Sequence, residues 1–575
     1  MKNCLPARAH VAARVLAVLF ACGAGALGGC DSNSSSGDQV VLNVASPVWQ
    51  EQIVYFVVTD RFNDGNPAND NQGAGEYDPT TEAKYSGGDL VGIQQKLAYI
   101  QGLGATAVWL TPPVANQWWD PLVNYGGYHG YWAANFMQVD LHMGTVSDYQ
   151  QLSSALHKSG MYLIQDIVVN HTGDFFAYQG GWNPANPAQY WVRNTGSVPV
   201  TAPTQSPFNM DDPTDPAQQA AAIYHWTPDI SNFNDENQLL NYQLFGLDDL
   251  NTENPVVRSA LRSSYGYWIK TIGVDAFRID TAFYVPQAFF SDFMYSNDPA
   301  APGILAVAQS TGRTAFHAFG EGQGIDQPYQ DTVSQKIESY MVGPDGNDIL
   351  PGMINYPLYG TMVDVLESGH PTAELAYRIE NMMQVYKRPW LMATFLDNHD
   401  VPRFLAGGSV AALKQGLVLL MTLPGIPVIY YGTEQGFTLQ RGSMFAAGFG
   451  SGGVNHFDTS APLYQFIAQL SALRKQNKVF SHGAPTILQQ NSATPGVLVW
   501  KMTWGSANAI AAINTSDSDT MAANFDTGLP AGTVLTSEVA AGAPAAALTV
   551  AANGAAAVSL PPRSACVWLA GSGSQ

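Results

Sequence analysis

Cysteine is nearly missing from this chain: four occur in 575 residues, and three of those, Cys4, Cys22 and Cys30, crowd the N-terminus. Only Cys566 would remain unmodified once that end is processed, so there is no disulfide framework and stability must come from core size or bound metal. Charge is also scarce, at 12% of residues, and positive charge scarcest: 25 Lys and Arg stand against 46 Asp and Glu, a formal net charge of −21. Nucleic acid and anionic membrane surfaces are thereby excluded as main partners, because both need basic patches. A neutral polymer such as a polysaccharide is compatible. Long hydrophobic runs are lacking too. The stretch from Val15 to Leu27 is too short and too rich in glycine for a membrane span.

What is present begins with an export signal. Lys2, Arg8 and Arg14 precede that apolar stretch, which ends in Leu27-Gly28-Gly29-Cys30 and gives way to the polar DSNSSSGDQ. The junction resembles a bacterial lipobox, which implies a signal peptide over 1–29 and lipidation of Cys30 as the first mature residue. An ordinary signal peptide that happens to contain Cys30 is the alternative. Residues 30–48, Ser-rich and polar, read as a flexible tether. The expected product is exported and monomeric, periplasmic or at the cell surface. It would meet the membrane through a lipid anchor alone, or be secreted.

From about Gln52 to Gln476, β-like apolar runs alternate with helical stretches, the pattern of a parallel α/β protein. Eight strand candidates lie at 53–62, 105–112, 161–171, 274–280, 314–322, 353–359, 391–400 and 426–434. Eight such units predict a (β/α)8 TIM barrel, with its chemistry at the C-terminal strand ends. Between the third and fourth candidates lie about a hundred residues, where a whole βαβ unit needs ~30. Residues 172–250 therefore read as an inserted domain, which leaves 49–171 and 251–477 to the barrel. Beyond 478 the composition shifts to Ala, Val, Thr and Gly with short alternating runs such as GVLVWKM, predicting a C-terminal β-sandwich over 478–575.

Strand alternation places residues two apart on one face, so Arg278 and Asp280 at the fourth strand's end point together at the barrel mouth. A guanidinium beside a carboxylate favours the ionised form that a nucleophile requires. Glu321 closes the fifth strand in the Gly-flanked FGEGQG, where little bulk obstructs access, and suits general-acid work with a raised pKa. FLDNHD sets His399 and Asp400 at the seventh strand's rim; DIVVNH puts Asp166, Val168 and Asn170 on one face, followed by His171. Each has a plain reading taken singly. Asp and Asn after strands cap helices, and an Arg two residues from an Asp makes a salt bridge. Four polar clusters at the ends of four strands of one barrel are poorly explained that way.

In this order, DIVVNH, VDAFRID, FGEG and FLDNHD resemble the four signature regions of the α-amylase superfamily. GYHGYW (127–132), LDDLN (247–251) and GIPVIYYGTEQ (425–435) resemble its auxiliary regions, so the likeness covers about residues 50–480. It implies a catalytic barrel A, an inserted domain B and a β-sandwich domain C, acting on α-1,4-glucosidic bonds of starch-like polysaccharides or maltodextrins. By this resemblance Asp280 would be the nucleophile of a covalent glycosyl-enzyme, Glu321 the acid and then the base, and Asp400 the residue that holds sugar hydroxyls in the transition state. Such retaining chemistry sets the two carboxyls about 5–5.5 Å apart. Arg278 would orient Asp280, His171 and His399 would donate to the sugar, and Tyr131 would stack beneath it. His129 would be a further contact or a structural residue.

A metal is also implied. Asp64, Asn66, Asn69 and Asp70 share the tight turn DGNPANDN, and a later GGD adds Gly87 and Asp89. Hard oxygen donors on a loop suit Ca²⁺, against the alternative of an Asx-rich turn without metal. The arrangement resembles the calcium loop near the first strand of cyclodextrin glucanotransferases and related amylases. A second calcium, implied through Asn170 and Asp249, is undercut by Tyr284, where the family has histidine. Phe283 replaces the usual lysine, which removes contacts on the leaving-group side. Phe245, four residues before Asp249, stands where glucanotransferases tend to carry a large aromatic. A chain ending after domain C favours hydrolysis, with glucanotransfer as the alternative. A non-catalytic glucan-binding lipoprotein is the reading from another class, opposed by the three carboxylates and Arg278.

Overall fold

The computed structural model describes residues 39–570, apart from 184, 187–190, 200 and 545, so the signal peptide expected over 1–29 and the lipidation expected at Cys30 lie outside the described residues. Eight parallel strands form one sheet: β1 (Val54–Val57), β2 (Ala107–Leu110), β3 (Tyr162–Ile167), β4 (Ala276–Ile279), β5 (His317–Gly320), β6 (Gly352–Met353), β7 (Ala393–Thr394) and β8 (Ile426–Tyr430). Neighbours in sequence are neighbours in the sheet, and β8 pairs back onto β1. A parallel bridge from Ile354 to Ala393 joins β6 to β7 and closes the ring into the expected TIM barrel. Strands β1, β2, β4 and β5 are buried at every position, because one face fills the barrel and the other packs under helices. That is why they read as unbroken apolar runs.

The sixth run did not end where the sequence pattern put it. The strand expected over 353–359 is only Gly352–Met353, and Tyr356–Leu366 is helix. Asn355 caps that helix, its side chain accepting from Leu358 N–H, and Pro357 sits in the first turn, where its missing N–H costs nothing. A buried strand and a buried helix start look alike by periodicity.

After His171 the chain leaves the barrel, and it returns where Asp249 pairs with His171 in an antiparallel bridge and Leu250 N–H donates to Asn170 O at 2.9 Å. The excursion contains a short hairpin, Phe176–Tyr178 with Trp191–Arg193. Its core is aromatic: Phe176 packs against Trp191, Tyr224 and Trp226 with ring centroids 4.8–5.3 Å apart. Past the helix Pro462–Gln476, a six-stranded antiparallel sheet and a two-stranded sheet share one apolar cluster that includes Val499, Ile510, Phe525 and Leu560. Cys566 is buried in that cluster as a free thiol. Residues 41–46, assigned by composition to the tether, are instead tied down. Val41 N–H donates to Ser154 Oγ at 2.8 Å, Arg313 Nη2 to Leu42 O at 2.5 Å, and Ala315 N–H to Ser46 Oγ at 3.2 Å. Among the described residues no helix is long and apolar enough to cross a membrane.

Candidate active site

The parallel register sets Arg278 of β4 directly beside Asp166 of β3 and Phe319 of β5. From there one buried guanidinium reaches three acids. Nη1 donates to Asp166 at 2.9 Å and to Asp280 at 2.8 Å, and Nη2 lies 2.8 Å from Glu321 Oε2. Tyr131 Oη and Trp109 Nε1 also donate to Asp166, at 2.8 and 3.0 Å, so its carboxylate fixes Arg278 rather than facing the cleft. Asp280 and Glu321 are each 7% exposed. Glu321 accepts from Thr281 N–H at 3.0 Å and from Tyr356 Oη at 3.1 Å. Thr281 offers that N–H because its φ is 46°, a left-handed conformation costly for a β-branched residue.

One cation facing three buried acids cannot keep all of them ionised. Burial raises the Asp166 carboxyl to about 7, and Glu321 is raised further. Burial pushes its carboxyl up to about 8, with Asp280 and Asp400 adding to the rise and Arg278 opposing it. At neutral pH it is therefore an acid able to donate. Asp400 is more accessible, its side chain 30% exposed, with His399 Nε2 at 3.2 Å and Arg441 Nη2 at 3.6 Å. Its carboxyl is raised as well, first by partial burial, while Arg278 and Arg441 hold it back.

The aromatic and imidazole groups named from the motifs converge on the same mouth. Tyr131 stacks on His399 with centroids 5.3 Å apart and planes 12° apart. His129 Nδ1 accepts from Tyr131 N–H at 3.1 Å and stacks on its ring, so its demonstrated contacts position Tyr131. Burial holds His129, His171 and His399 below the usual histidine range, so all three are neutral donors rather than cations. His171 Nε2 and His399 Nδ1 are buried without a protein partner, as groups reserved for a ligand would be. Phe245 stands apart on the inserted domain's rim, 77% exposed and 5.9 Å from the ring of Phe233.

The acidic turn near β1 meets the test for a hard cation. Asp64 Oδ1, Asn69 Oδ1 and Asp70 Oδ1 are buried with no hydrogen-bond partner. The Asp70 carboxyl is pushed to about 7 by burial, then by Asp64, Asp89 and Asp60. Gly87 approaches with φ +106°, where a Cβ would lie 2.7 Å from the Asp70 carboxyl, so only glycine fits. Asp89 caps the helix Leu90–Gln95 through Gly92 N–H and also accepts from Asn66 N–H at 2.8 Å. Asn66 itself is exposed and its side chain accepts from Ala68 N–H, so that side chain is not brought into the set. The acids alone do not converge as a three-carboxylate cluster; neutral oxygens of Asn69 and Gly87 would have to complete it. The second pair does not fit a cation. Asp249 Oδ2 is engaged by His225 Nδ1 at 2.5 Å, His225 in turn bridges to Glu253 at 3.1 Å, and Asn170 Nδ2 is turned to His171. An imidazole raised to about 9 by Asp249 and Glu253, against the pull of burial, supplies the positive charge there.

Sequence patterns missed Thr281, Tyr356, Trp109 and Arg441. The Asn355-Tyr356-Pro357 helix-start signature could have located Tyr356. Arg441 carries no local signal, since it meets Asp400 from 41 positions away in sequence.

The family described as "Alpha amylase, catalytic domain" matches residues 56–447. The chain is 30% identical over 506 residues to a cyclomaltodextrin glucanotransferase of Klebsiella oxytoca, covering 82% of this chain and 72% of that one. It is also 30% identical to a β/α-amylase of Paenibacillus polymyxa, but spans only 31% of it against 76% of itself. Among solved structures, an Anoxybacillus α-amylase superposes with TM-score 0.69 at 28% identity, over 91% of this chain and 98% of that one. A cyclomaltodextrin glucanotransferase described as having a three-domain ABC distribution superposes with TM-score 0.72 at 27% identity, over 90% and 99%. A three-domain glucanotransferase removes the force of chain length as a reason to prefer hydrolysis.

Proposed function

The chain belongs to the α-amylase family, and we propose that it cleaves α-1,4-glucosidic bonds of starch-like glucans with retention of configuration. The observation that carries this is the Arg278 guanidinium held by both Asp280 and Glu321 at 2.8 Å. Sharing one guanidinium favours the close pairing, about 5–5.5 Å, that covalent retaining chemistry uses over the wider gap that admits water between the carboxyls. Asp280 attacks the anomeric carbon while Glu321 gives its proton to the leaving oxygen. Glu321 then takes a proton from water as that water releases the sugar. Asp400, the most open of the three, holds hydroxyls of the distorted ring, Tyr131 supports its face, His171 donates through its unpaired Nε2, and His399, whose Nε2 faces the Asp400 carboxylate, offers its unpaired Nδ1 as an acceptor.

Hydrolysis is the first reading and glucanotransfer the second, favoured by the exposed Phe245–Phe233 pair, which offers a wandering glucan chain an apolar turning post. Time-resolved proton NMR and chromatography of amylose digests test both. We expect α-anomers first and short linear products. Cyclic or lengthened products would move the enzyme to the second reading, and an initial β-anomer would sink both.

Calcium belongs to the same proposal: Asp64, Asn69, Asp70, Asp89 and the Gly87 carbonyl would hold it, tying the loop after β1 to the helix Leu90–Gln95. The ion's role there is structural, neutralising acids that burial otherwise penalises. Excess EDTA is expected to lower Tm by several degrees, with recovery on adding Ca²⁺, and Asp70→Asn is expected to abolish the response. An unchanged Tm in EDTA would remove the metal from this loop. Export and lipidation at Cys30 remain part of the proposal, resting on the lipobox-like sequence alone.

A further inference from the structure

Away from the sugar site, one group among the described residues brings a histidine and two carboxylates to a common point. Asp364 lies in the last turn of the helix Tyr356–Leu366, and Glu374 in the first turn of the helix Thr372–Val385 packed against it. His370 stands on the loop between them. One donor atom from each of the three lies within 4.8 Å of the other two, and His370 Nδ1 is 2.9 Å from Glu374 Oε2. The loop holds the imidazole in that place. His370 N–H donates to Asp364 O at 3.0 Å and Ser368 N–H to Val363 O at 3.2 Å. Gly369 turns the chain at φ 74°, and Pro371 confines His370 to extended backbone.

The donor set selects the ion. Calcium gathers many oxygens and no nitrogen, whereas an imidazole with two carboxylates suits Zn²⁺, which binds three such side chains and leaves a further position to water. Two carboxylates also balance the charge of a divalent ion. Solvent reaches the group past the His370 side chain, which is 41% exposed. Two other histidines flanked by two acids are arranged differently. His225 meets Asp249 on Nδ1 and Glu253 on Nε2, and His142 meets Asp140 on Nδ1 and Glu76 on Nε2. The two ring nitrogens point apart, so neither pair of acids meets at one ion. The group at His370 also lies on the seam with the C-terminal domain. Thr372 Oγ1 donates to Val497 O and Ala373 N–H to Asn491 O, both at 2.9 Å. On the other helix, Leu366 O accepts from Arg563 Nη1 at 2.7 Å.

We infer that Asp364, His370 and Glu374 form a Zn²⁺ site that clamps the two helices and stiffens the seam between the barrel and the C-terminal sheet. The whole chain is titrated with zinc chloride while calcium is held in excess, so that the loop near Asp64 does not vary. Equilibrium dialysis is expected to show a saturable zinc site, and Tm should rise by about 2 °C at a hundredfold excess of zinc over its Kd. His370→Ala removes the nitrogen donor at a half-exposed position, and Glu374→Gln keeps the side chain's shape. Removing even an outer-shell partner of a metal costs about tenfold or more in affinity, so each variant should bind zinc at least about tenfold more weakly and lose the Tm rise. Zinc should also slow hydrogen exchange at the Ala373 amide, which crosses the seam, and do so in the unsubstituted protein alone. The proposal is overturned if the unsubstituted protein binds no zinc, which would leave His370 and Glu374 an ordinary surface ion pair. Equal binding by both variants, or exchange at Ala373 that ignores zinc, would overturn it as well.

Discussion

Asp280→Asn is expected to cut kcat on amylose by about 10⁴-fold or more, with Tm equal to or above that of the unsubstituted protein. The amide keeps an oxygen that can accept from Arg278 Nη1, now at 2.8 Å from Asp280 Oδ1, so the local packing survives. It cannot form the ester intermediate, and the covalent route is lost. Stability should not suffer, because three acids crowd one guanidinium and the substitution removes a mutual repulsion. Catalytic sites often hold such tension at the expense of stability. Circular dichroism melting and a reducing-sugar assay on the same sample decide the matter. Near-normal turnover would refute the nucleophile assignment, and a collapse of Tm would make Asp280 a structural residue.

Glu321→Gln should lower kcat/KM on amylose by about 10³-fold, within the range that a positioned general acid contributes. The loss should shrink greatly on α-maltosyl fluoride, whose leaving group departs without a proton. The pH dependence separates this role from a merely structural one. Burial lifts the Glu321 carboxyl to about 8, so the donating form persists through neutral pH and is lost as pH rises past that value. The unsubstituted enzyme should therefore show an alkaline limb in kcat/KM near pH 8, and the variant should not. An identical limb in the variant would assign the titration to another group. Equal losses on amylose and the fluoride would count against Glu321 as the acid.

The barrel was legible because parallel strands buried on both faces give apolar runs that turns and helices punctuate. The strand ends were legible because a polar residue after such a run is costly unless it faces an opening. Arg278 and Asp280 needed only the period of a strand. Boundaries were less readable: the run through 353–359 held a two-residue strand and a capped helix, both apolar for the same reason. The tether's end was misjudged from composition, since polar residues 41–46 satisfy their backbone against Ser154, Arg313 and Ala315 rather than water.

The sequence by itself determined the barrel, the inserted and C-terminal domains, and the ordered acids Asp280, Glu321 and Asp400, because these depend on periodicity and local chemistry. Only the tertiary structure decided how protons and cations are shared among them. That Arg278 serves Asp166 as well as two cleft acids follows from β3–β4 register, and the raised carboxyl of Glu321 follows first from its burial and then from Asp280 and Asp400 beside it. That His225 rather than a metal answers Asp249 depends on a fold bringing together positions 24 apart. Electrostatic energies in a buried site are set by distance and desolvation, and neither is written in the order of residues.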